Sequence, residues 1–209
     1  MKLADATALK AAMINASEAI IAAEPELTRI DSVIGDGDHG IGMKTGFSVL
    51  REKLTEESFA TPYELFHESG LCLVKCMGGS SGVLFGTLFI SGLEAIKDKD
   101  VLNASDVVDF LTKGIQGVIN RGRAKPGDKT MVDALLPAQS AMELALKSTD
   151  DIGQILEAAE TGAKNGVEAT KNMAPRIGRS KNFREQALGW PDPGAISVSV
   201  LLGGLARSL

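Results

Sequence analysis

Histidine is nearly missing from this 209-residue chain, with His39 and His67 its two imidazoles. Counting alone excludes histidine-rich metal centres and leaves almost no room for a histidine-based triad. Cysteine is as scarce: Cys72 and Cys76 stand four apart in an apolar run, so no disulfide framework stabilises the fold. A basic excess is missing too. With 22 Lys+Arg against 27 Asp+Glu, the formal charge is −5 and the pI about 5.2. That balance argues against non-specific nucleic-acid binding, which needs a basic stripe to displace counterions. No apolar run of the roughly 18 residues needed to cross a membrane occurs. The start, Met1-Lys2-Leu3-Ala4-Asp5, lacks the apolar core of a signal peptide, so a cytoplasmic location is expected.

Glycine is what the chain has in excess: 23 of 209 residues, roughly one in nine against a usual one in fourteen. A hydrophobic share of 44% with 23% charged residues is ordinary for a globular chain that buries a core. The length, with no internal repeat, low-complexity tract or linker, fits one domain over 1–209.

Helical periodicity dominates. Val107, Val108, Leu111, Ile115 and Val118 share a face, as do Val132, Leu135, Leu136, Met142 and Leu146, and Ile152, Ile155, Leu156, Ala159 and Ala163. Ser105 and Asp106 are natural N-caps, and Pro62 suits a first turn. Gly82–Leu93 and the alternating Ala195–Leu202 could locally be strands, but a lone strand has no partner here, so both are expected to be helical. The reading is all-α, with eight helices near 5–24, 40–54, 62–77, 82–97, 105–121, 129–147, 151–173 and 194–207. The connections after the second, fourth and sixth helices are plain. Those after the first, third, fifth and seventh are rich in Gly, Asp, Ser and Arg. In an up-and-down antiparallel arrangement these four lie at one end, where a composite site can form.

The first of these loops contains Gly35-Asp36-Gly37-Asp38-His39-Gly40, a G-x-G-x-x-G match. A dinucleotide fold needs a preceding strand, and three carboxylates (Asp31, Asp36, Asp38) would repel a bare pyrophosphate. The same carboxylates suit one or two Mg²⁺ ions lying between protein and phosphate. An EF-hand fails because Phe47 occupies the twelfth position. The plain alternative is an Asp/Gly-rich capping turn. Gly42-Met43-Lys44-Thr45 and Gly127-Asp128-Lys129-Thr130 each insert one residue into a P-loop ending, so both fail as P-loops, and Lys44 and Lys129 are expected to be surface charges. Gly78-Gly79-Ser80-Ser81-Gly82 before an apolar helix is either a helix N-terminal anion site or a capped turn. Arg121 to Thr130 is a basic turn suited to phosphate or to an acidic partner, or simply a solvated turn. The last loop carries Arg176, Gly178-Arg179-Ser180, Arg184 and Trp190; loops this long are usually functional or mobile. Cys72 and Cys76 are expected in the core and His67 as a satisfied or surface residue, while Gly86 and Gly92 are expected to allow close helix packing.

Together these motifs resemble the nucleotide-binding L-subunit family of dihydroxyacetone kinases. The carrying residues are Asp31-x4-Asp36-Gly37-Asp38-His39-Gly40, Gly78-Gly79-Ser80-Ser81-Gly82-x-Leu84-Phe85-Gly86, and Arg121-Gly122-x-Ala124-x-Pro126-Gly127-Asp128-Lys129-Thr130-Met131, followed by Gly178-Arg179 and Asp192-Pro193-Gly194. The resemblance implies an eight-helix up-and-down antiparallel barrel with the nucleotide site at one end. It implies that Asp31, Asp36 and Asp38 bind two Mg²⁺. It places ADP or ATP against His39, Gly40, Ile41, Gly42, Ser80 and Ser81, with Gly122 and Met131 on the adenine side and Arg179, Asp192, Pro193 and Gly194 completing the site. Asp36, Asp38 and Arg179 are then the catalytic groups for phosphoryl transfer. In this family a partner K subunit holds the ketone through its own histidine, which suits a chain so poor in histidine. The donor is either a phosphotransferase-system phosphoprotein that recharges bound ADP, or free ATP. Between Arg179 and Asp192 the chain departs from the family pattern, Ser180-Lys181-Asn182-Phe183 standing where Ala-Ser-Tyr-Leu is usual, which leaves the ketose open between triose and tetrose. A non-catalytic ADP-bound co-regulator of a transcription factor is the alternative from another class. Self-association is left open.

Overall fold

The structure is a computed structural model that describes residues 3–183 and 185–209, with Arg179 described in its backbone alone. Eight α-helices run through the described residues: α1 (Ala6–Ile34), α2 (His39–Glu56), α3 (Pro62–Cys76), α4 (Gly79–Gly92), α5 (Ala104–Gly122), α6 (Val132–Ala145), α7 (Ile152–Thr170) and α8 (Pro193–Ala206). Each packs on its neighbour in sequence, and α8 returns to pack on α1. The ring therefore closes as an all-α barrel. Two short strands, β1 (Ala4–Asp5) and β2 (Val101–Leu102), pair antiparallel. None of the helices is long and apolar enough to cross a membrane.

The inward faces form one continuous core, including Phe47, Phe85, Phe89, Ile115, Leu135, Met142 and Val198. Phe66 stacks on Phe89 at 5.8 Å and leans on Phe110 at 4.4 Å, tying α3, α4 and α5 together. Glycine sets the close approaches. A Cβ at Gly166 would meet the Asp133 carbonyl oxygen at 2.1 Å, so α7 lies directly on the backbone of α6. That carbonyl is the one Pro137, inside α6, gives no N–H to. Gly86 and Gly92 likewise face backbone oxygens, of Gly70 at 2.8 Å and Phe110 at 2.5 Å, as close packing demands.

Three boundaries differ from the sequence expectation in ways that matter. Helix α1 runs to Ile34 rather than stopping near residue 24. Pro25 breaks one hydrogen bond at a cost of roughly 3 kcal/mol. Leu27, Ile30 and Ile34 keep the helical spacing and are fully buried, and burial of such side chains contributes about 1.5–3 kcal/mol each, so the helix continues. Asp31 is thus a helical residue, not a loop residue. Helix α5 is capped by Asn103, in a capping box with Asp106, rather than by Ser105. Helix α6 starts at Val132, which leaves Lys129 in the turn before it.

The ambiguous segments are both helical. Along α8, Ser197 and Ser199 sit among Ile196, Val198 and Val200, and their hydroxyls donate to the carbonyls of Pro193 (3.0 Å) and Ile196 (2.9 Å). Backbone acceptors within the same helix let these serines be buried without a strand partner.

Candidate functional site

The loops after α1, α3, α5 and α7 meet around one cleft of about 480 Å³. Its lining takes Asp31 from the end of α1 with Asp36 and Asp38 from the first connection, Gly78 to Ser81 from the second and the start of α4, Lys129 to Met131 from the third, and Ile177, Gly178, Ser180 and Asp192 to Gly194 from the fourth and the start of α8. Leu84 and Phe85 form the apolar side.

Asp31 projects from the last turn of α1, Asp36 from the turn, and Asp38 from the residue before α2. One oxygen of each lies within 4.8 Å of the others, with Asp31 buried and the other two exposed. The turn is made possible by Gly35, where a Cβ would meet the Asp31 carboxylate at 2.3 Å, and by Gly37 at φ 77°. Asp31 also accepts the His39 backbone N–H at 3.0 Å, which fixes the cluster to the start of α2. Three hard, anionic oxygens at this spacing fit Mg²⁺ in donor type and charge.

Three helices begin at this end with no capping bond from their N-cap side chains: α2 after Asp38, α4 after Gly78 and α6 after Met131. At α6 the Thr130 hydroxyl instead takes the Val132 N–H at 3.2 Å. The remaining first-turn amides of α2 and those of α4, with the positive ends of the helix dipoles, face the cleft and make it receptive to anions, whereas at α6 the Asp133 and Ala134 N–H groups are also taken, by the Thr130 and Met131 carbonyls at 3.0 and 3.1 Å. His39, in the first turn of α2, links these elements. Its Nδ1 lies 3.2 Å from Ser81 Oγ on α4, and its Nε2 2.9 Å from Ser197 Oγ on α8. Burial holds the His39 ring below the usual histidine range, with Asp31 and the Pro193 backbone pulling the other way.

The fourth connection enters the cleft at Asp192, the N-cap of α8, whose carboxylate accepts the Ala195 N–H at 2.8 Å. Burial pushes the Asp192 carboxyl up to about 7 against the lowering pull of the Ala195 N–H and Lys129; Asp133 and Asp31 add to the rise. Lys129 is not the surface charge expected. It is 1% exposed, and its Nζ donates to the carbonyls of Thr170 and Trp190, both at 2.6 Å. Lys44 does lie at the surface, paired with Glu24 at 3.4 Å.

Of the residues singled out in the sequence, Asp31, Asp36, Asp38, His39, Ile41, Gly42, Ser80, Ser81, Met131, Asp192, Pro193 and Gly194 line the cleft. Gly40 is turned toward α1, where a Cβ would meet Thr28 Oγ1 at 2.3 Å. Gly122 stands behind the lining residue Leu84, 3.2 Å from its side chain to a Cβ placed there. Arg179 opens a short 3-10 turn, Arg179–Phe183; its side chain lies outside the described residues, as does Arg184. Sequence reasoning missed Lys129 and Ser197. Lys129 stands in a motif that carries the family resemblance, but its burial and the role of Ser197 have no local mark, because their partners lie 41 and 61 residues from Lys129 and 158 from Ser197. Away from the cleft, Cys72 is buried and Cys76 partly so. Burial, with Cys76 beside it, pushes the Cys72 thiol up to about 12. His67 is a surface residue stacked on Tyr63 at 6.1 Å.

The family model of the DAK2 domain matches residues 33–207. The chain is 36% identical over 180 residues to the ADP-binding subunit DhaL of the PEP-dependent dihydroxyacetone kinase of Escherichia coli, covering 86% of each chain. It is 34% identical over 202 residues to an L-erythrulose kinase of Pectobacterium atrosepticum, covering 95% of this chain and 34% of that protein. Among solved structures it is similar to the dihydroxyacetone kinase of C. freundii in complex with AMP-PNP and Mg²⁺. There the TM-score is 0.78 at 27% identity, over 100% of this chain and 35% of that one. The chain thus spans about a third of the erythrulose kinase and of the C. freundii enzyme, and most of the separate bacterial subunit.

Proposed function

The chain belongs to the DAK2 domain family, and from that premise we propose that it is the nucleotide-holding subunit of a ketose kinase. It acts as one nucleotide-binding domain that carries ADP or ATP with two Mg²⁺ and passes the phosphoryl group to dihydroxyacetone on a partner K subunit. The observation that carries this reading is the pairing, in one cleft, of three carboxylate oxygens within 4.8 Å with the starts of α2 and α4. Cation ligands and anion-receptive helix ends side by side are what a metal–polyphosphate requires.

Asp31, Asp36 and Asp38 would hold the Mg²⁺ ions, which neutralise phosphoryl oxygens and draw electron density from the transferring phosphorus. Ser80, Ser81 and the first-turn amides of α4 hold phosphate oxygens. His39, bridging Ser81 and Ser197, keeps the metal turn and the α4 start in register. Leu84, Phe85 and Met131 supply an apolar wall for the base, with Gly122 behind it. Asp192, Pro193 and Gly194 complete the cleft, and Arg179 supplies the guanidinium that balances charge as the phosphoryl group moves. The chain itself needs no nucleophile, since the attacking hydroxyl belongs to the ketose. Similarity to the PEP-dependent E. coli subunit favours a phosphotransferase-system phosphoprotein as donor, in the cytoplasm. Similarity to erythrulose kinase, with the departure at 180–183, favours a second reading: an ATP-dependent subunit acting on a tetrose ketose.

The test is to purify the protein, identify any nucleotide it retains, and assay it with a K subunit on dihydroxyacetone and erythrulose. ATP is compared with phosphoenolpyruvate plus phosphotransferase components. Turnover with one donor is expected. Nucleotide retained without turnover on either ketose or donor would leave a co-regulator, and no nucleotide bound at all would remove both.

A further inference from the structure

Residues 171–192 join α7 to α8 and form one wall of the cleft through Ile177, Gly178 and Ser180. The two ends of this segment are held together at its neck. Asp192 N–H donates to Thr170 Oγ1 at 2.9 Å, and Gly189 N–H donates to the Lys171 carbonyl at 2.8 Å. Between these ends sits the Lys129 ammonium, bonded to the carbonyl of Thr170 on one side and of Trp190 on the other. We propose that Lys129 is a positioning residue: a buried clasp, supplied by the third loop, that closes the neck of the fourth loop and sets it across the cleft.

Three observations carry the assignment. Lys129 is the sole buried cation among the described residues, and an ammonium taken from water is unfavourable unless its donors are satisfied. Packing alone would be served as well by an apolar side chain, which needs no such compensation. Second, both acceptors are backbone carbonyls from the two sides of one neck, so the cation fixes the distance between chain segments rather than pairing with a side chain. Third, Lys129 takes φ 61°, a left-handed backbone unfavourable for a residue with a Cβ, and such conformations persist where the surroundings enforce them. The clasp is doubled from the same turn: Arg176 N–H donates to the Asp128 carbonyl at 3.2 Å.

Limited trypsin digestion of the full chain tests this without reference to catalysis. Arg176 and Lys181 are exposed sites inside the clasped segment. In Lys129→Met, cleavage there is expected to accelerate about tenfold or more while helix content stays unchanged, as local opening is released without global unfolding. In Lys129→Ala, n-propylammonium, which restores the missing stem and donors, should return cleavage toward the wild-type rate; tetramethylammonium, which has no N–H, should not. Unchanged cleavage in folded Lys129→Met, or no difference between the two cations, overturns the clasp. Acetylation of the wild-type protein needs no variant: Lys129 should react on the order of a hundredfold more slowly than exposed Lys125, and equal rates contradict the assignment. The consequence for the cleft rests on the nucleotide reading: Mg²⁺-dependent ADP binding should weaken in Lys129→Ala and recover with propylammonium. If the wild type binds no ADP, that reading fails while the digestion still decides the clasp.

Discussion

The two ends of the barrel begin their helices differently. At the end away from the cleft, α1, α3, α5 and α7 are each capped by a side chain of their own: Asp5, Thr61, Asn103 and Asp151 accept the N–H of Ala8, Glu64, Asp106 and Gln154. At the cleft end, the N-cap side chains of α2, α4 and α6 make no such bond, and Asp192 alone caps, at α8. At α2 and α6 a side chain from elsewhere serves the first N–H instead, Asp31 for His39 and Thr130 for Val132, while α4 starts at Gly78 with no side chain to cap it and forgoes about 1 kcal/mol of helix stability. One end of the barrel is built for stability, while the other leaves the α4 start to be satisfied by something that is not protein. The carboxylates follow the same division, since Asp31, Asp36 and Asp38 gather like charge at the cleft end, one oxygen of each within 4.8 Å of the others.

Five substitutions probe this contrast, in order of expected effect. Asp36→Asn and Asp38→Asn should each abolish Mg²⁺-dependent nucleotide retention, read by quantifying bound nucleotide after desalting; retention by both variants would refute the metal assignment. Gly78→Asp should trade function for stability. Gly78 has φ −74° and ψ 165°, and no atom lies within 4 Å of a Cβ placed there, so an aspartate fits beside the positive end of α4. Thermal unfolding without nucleotide should then show a gain of up to about 1 kcal/mol, while ADP binding weakens on the order of tenfold, because the carboxylate occupies the amides meant for phosphate. Asp151→Ala, at the far end, should lose about 1 kcal/mol of stability and leave the ADP dissociation constant unchanged. The smallest effect is on pH dependence. Burial raises the folded pKa of Asp192 to about 7, above the ordinary carboxylate range, so its contribution to stability is full below the unfolded value and is lost as pH rises through about 7. Without divalent cation, Asp192→Asn should flatten the stability curve between those limits; an unaltered slope would show that this carboxyl is not buried in its acid form.

The barrel was legible because its evidence is local. Apolar spacing marks the helices, and the glycines of the odd-numbered connections mark the loops that converge. Asp31, Asp36 and Asp38 were legible for the same reason, lying within eight residues of one another. The extension of α1 past Pro25 was not: proline signals an end, and the buried Leu27, Ile30 and Ile34 that outweigh it act through contacts with distant helices. Lys129 was hidden more thoroughly. In sequence it is a cation in a basic turn, and what holds it inside is a pair of carbonyls, one at the end of α7 and one on the loop that follows. Ser197 was read for its strand-like alternation, whereas its position is set by Pro193 within α8 and by His39 across the cleft.

The central claim is that the uncapped helix starts and the carboxylate cluster act together as one metal–polyphosphate site. Calorimetric titration of ADP into the nucleotide-stripped wild-type protein, with Mg²⁺ and then with a chelator in its place, tests it most directly. Stoichiometric binding in Mg²⁺ that disappears in the chelator is the predicted result. ADP binding of equal strength in both would contradict the account, because the helix ends would then suffice and the three aspartates would have no part in holding the nucleotide.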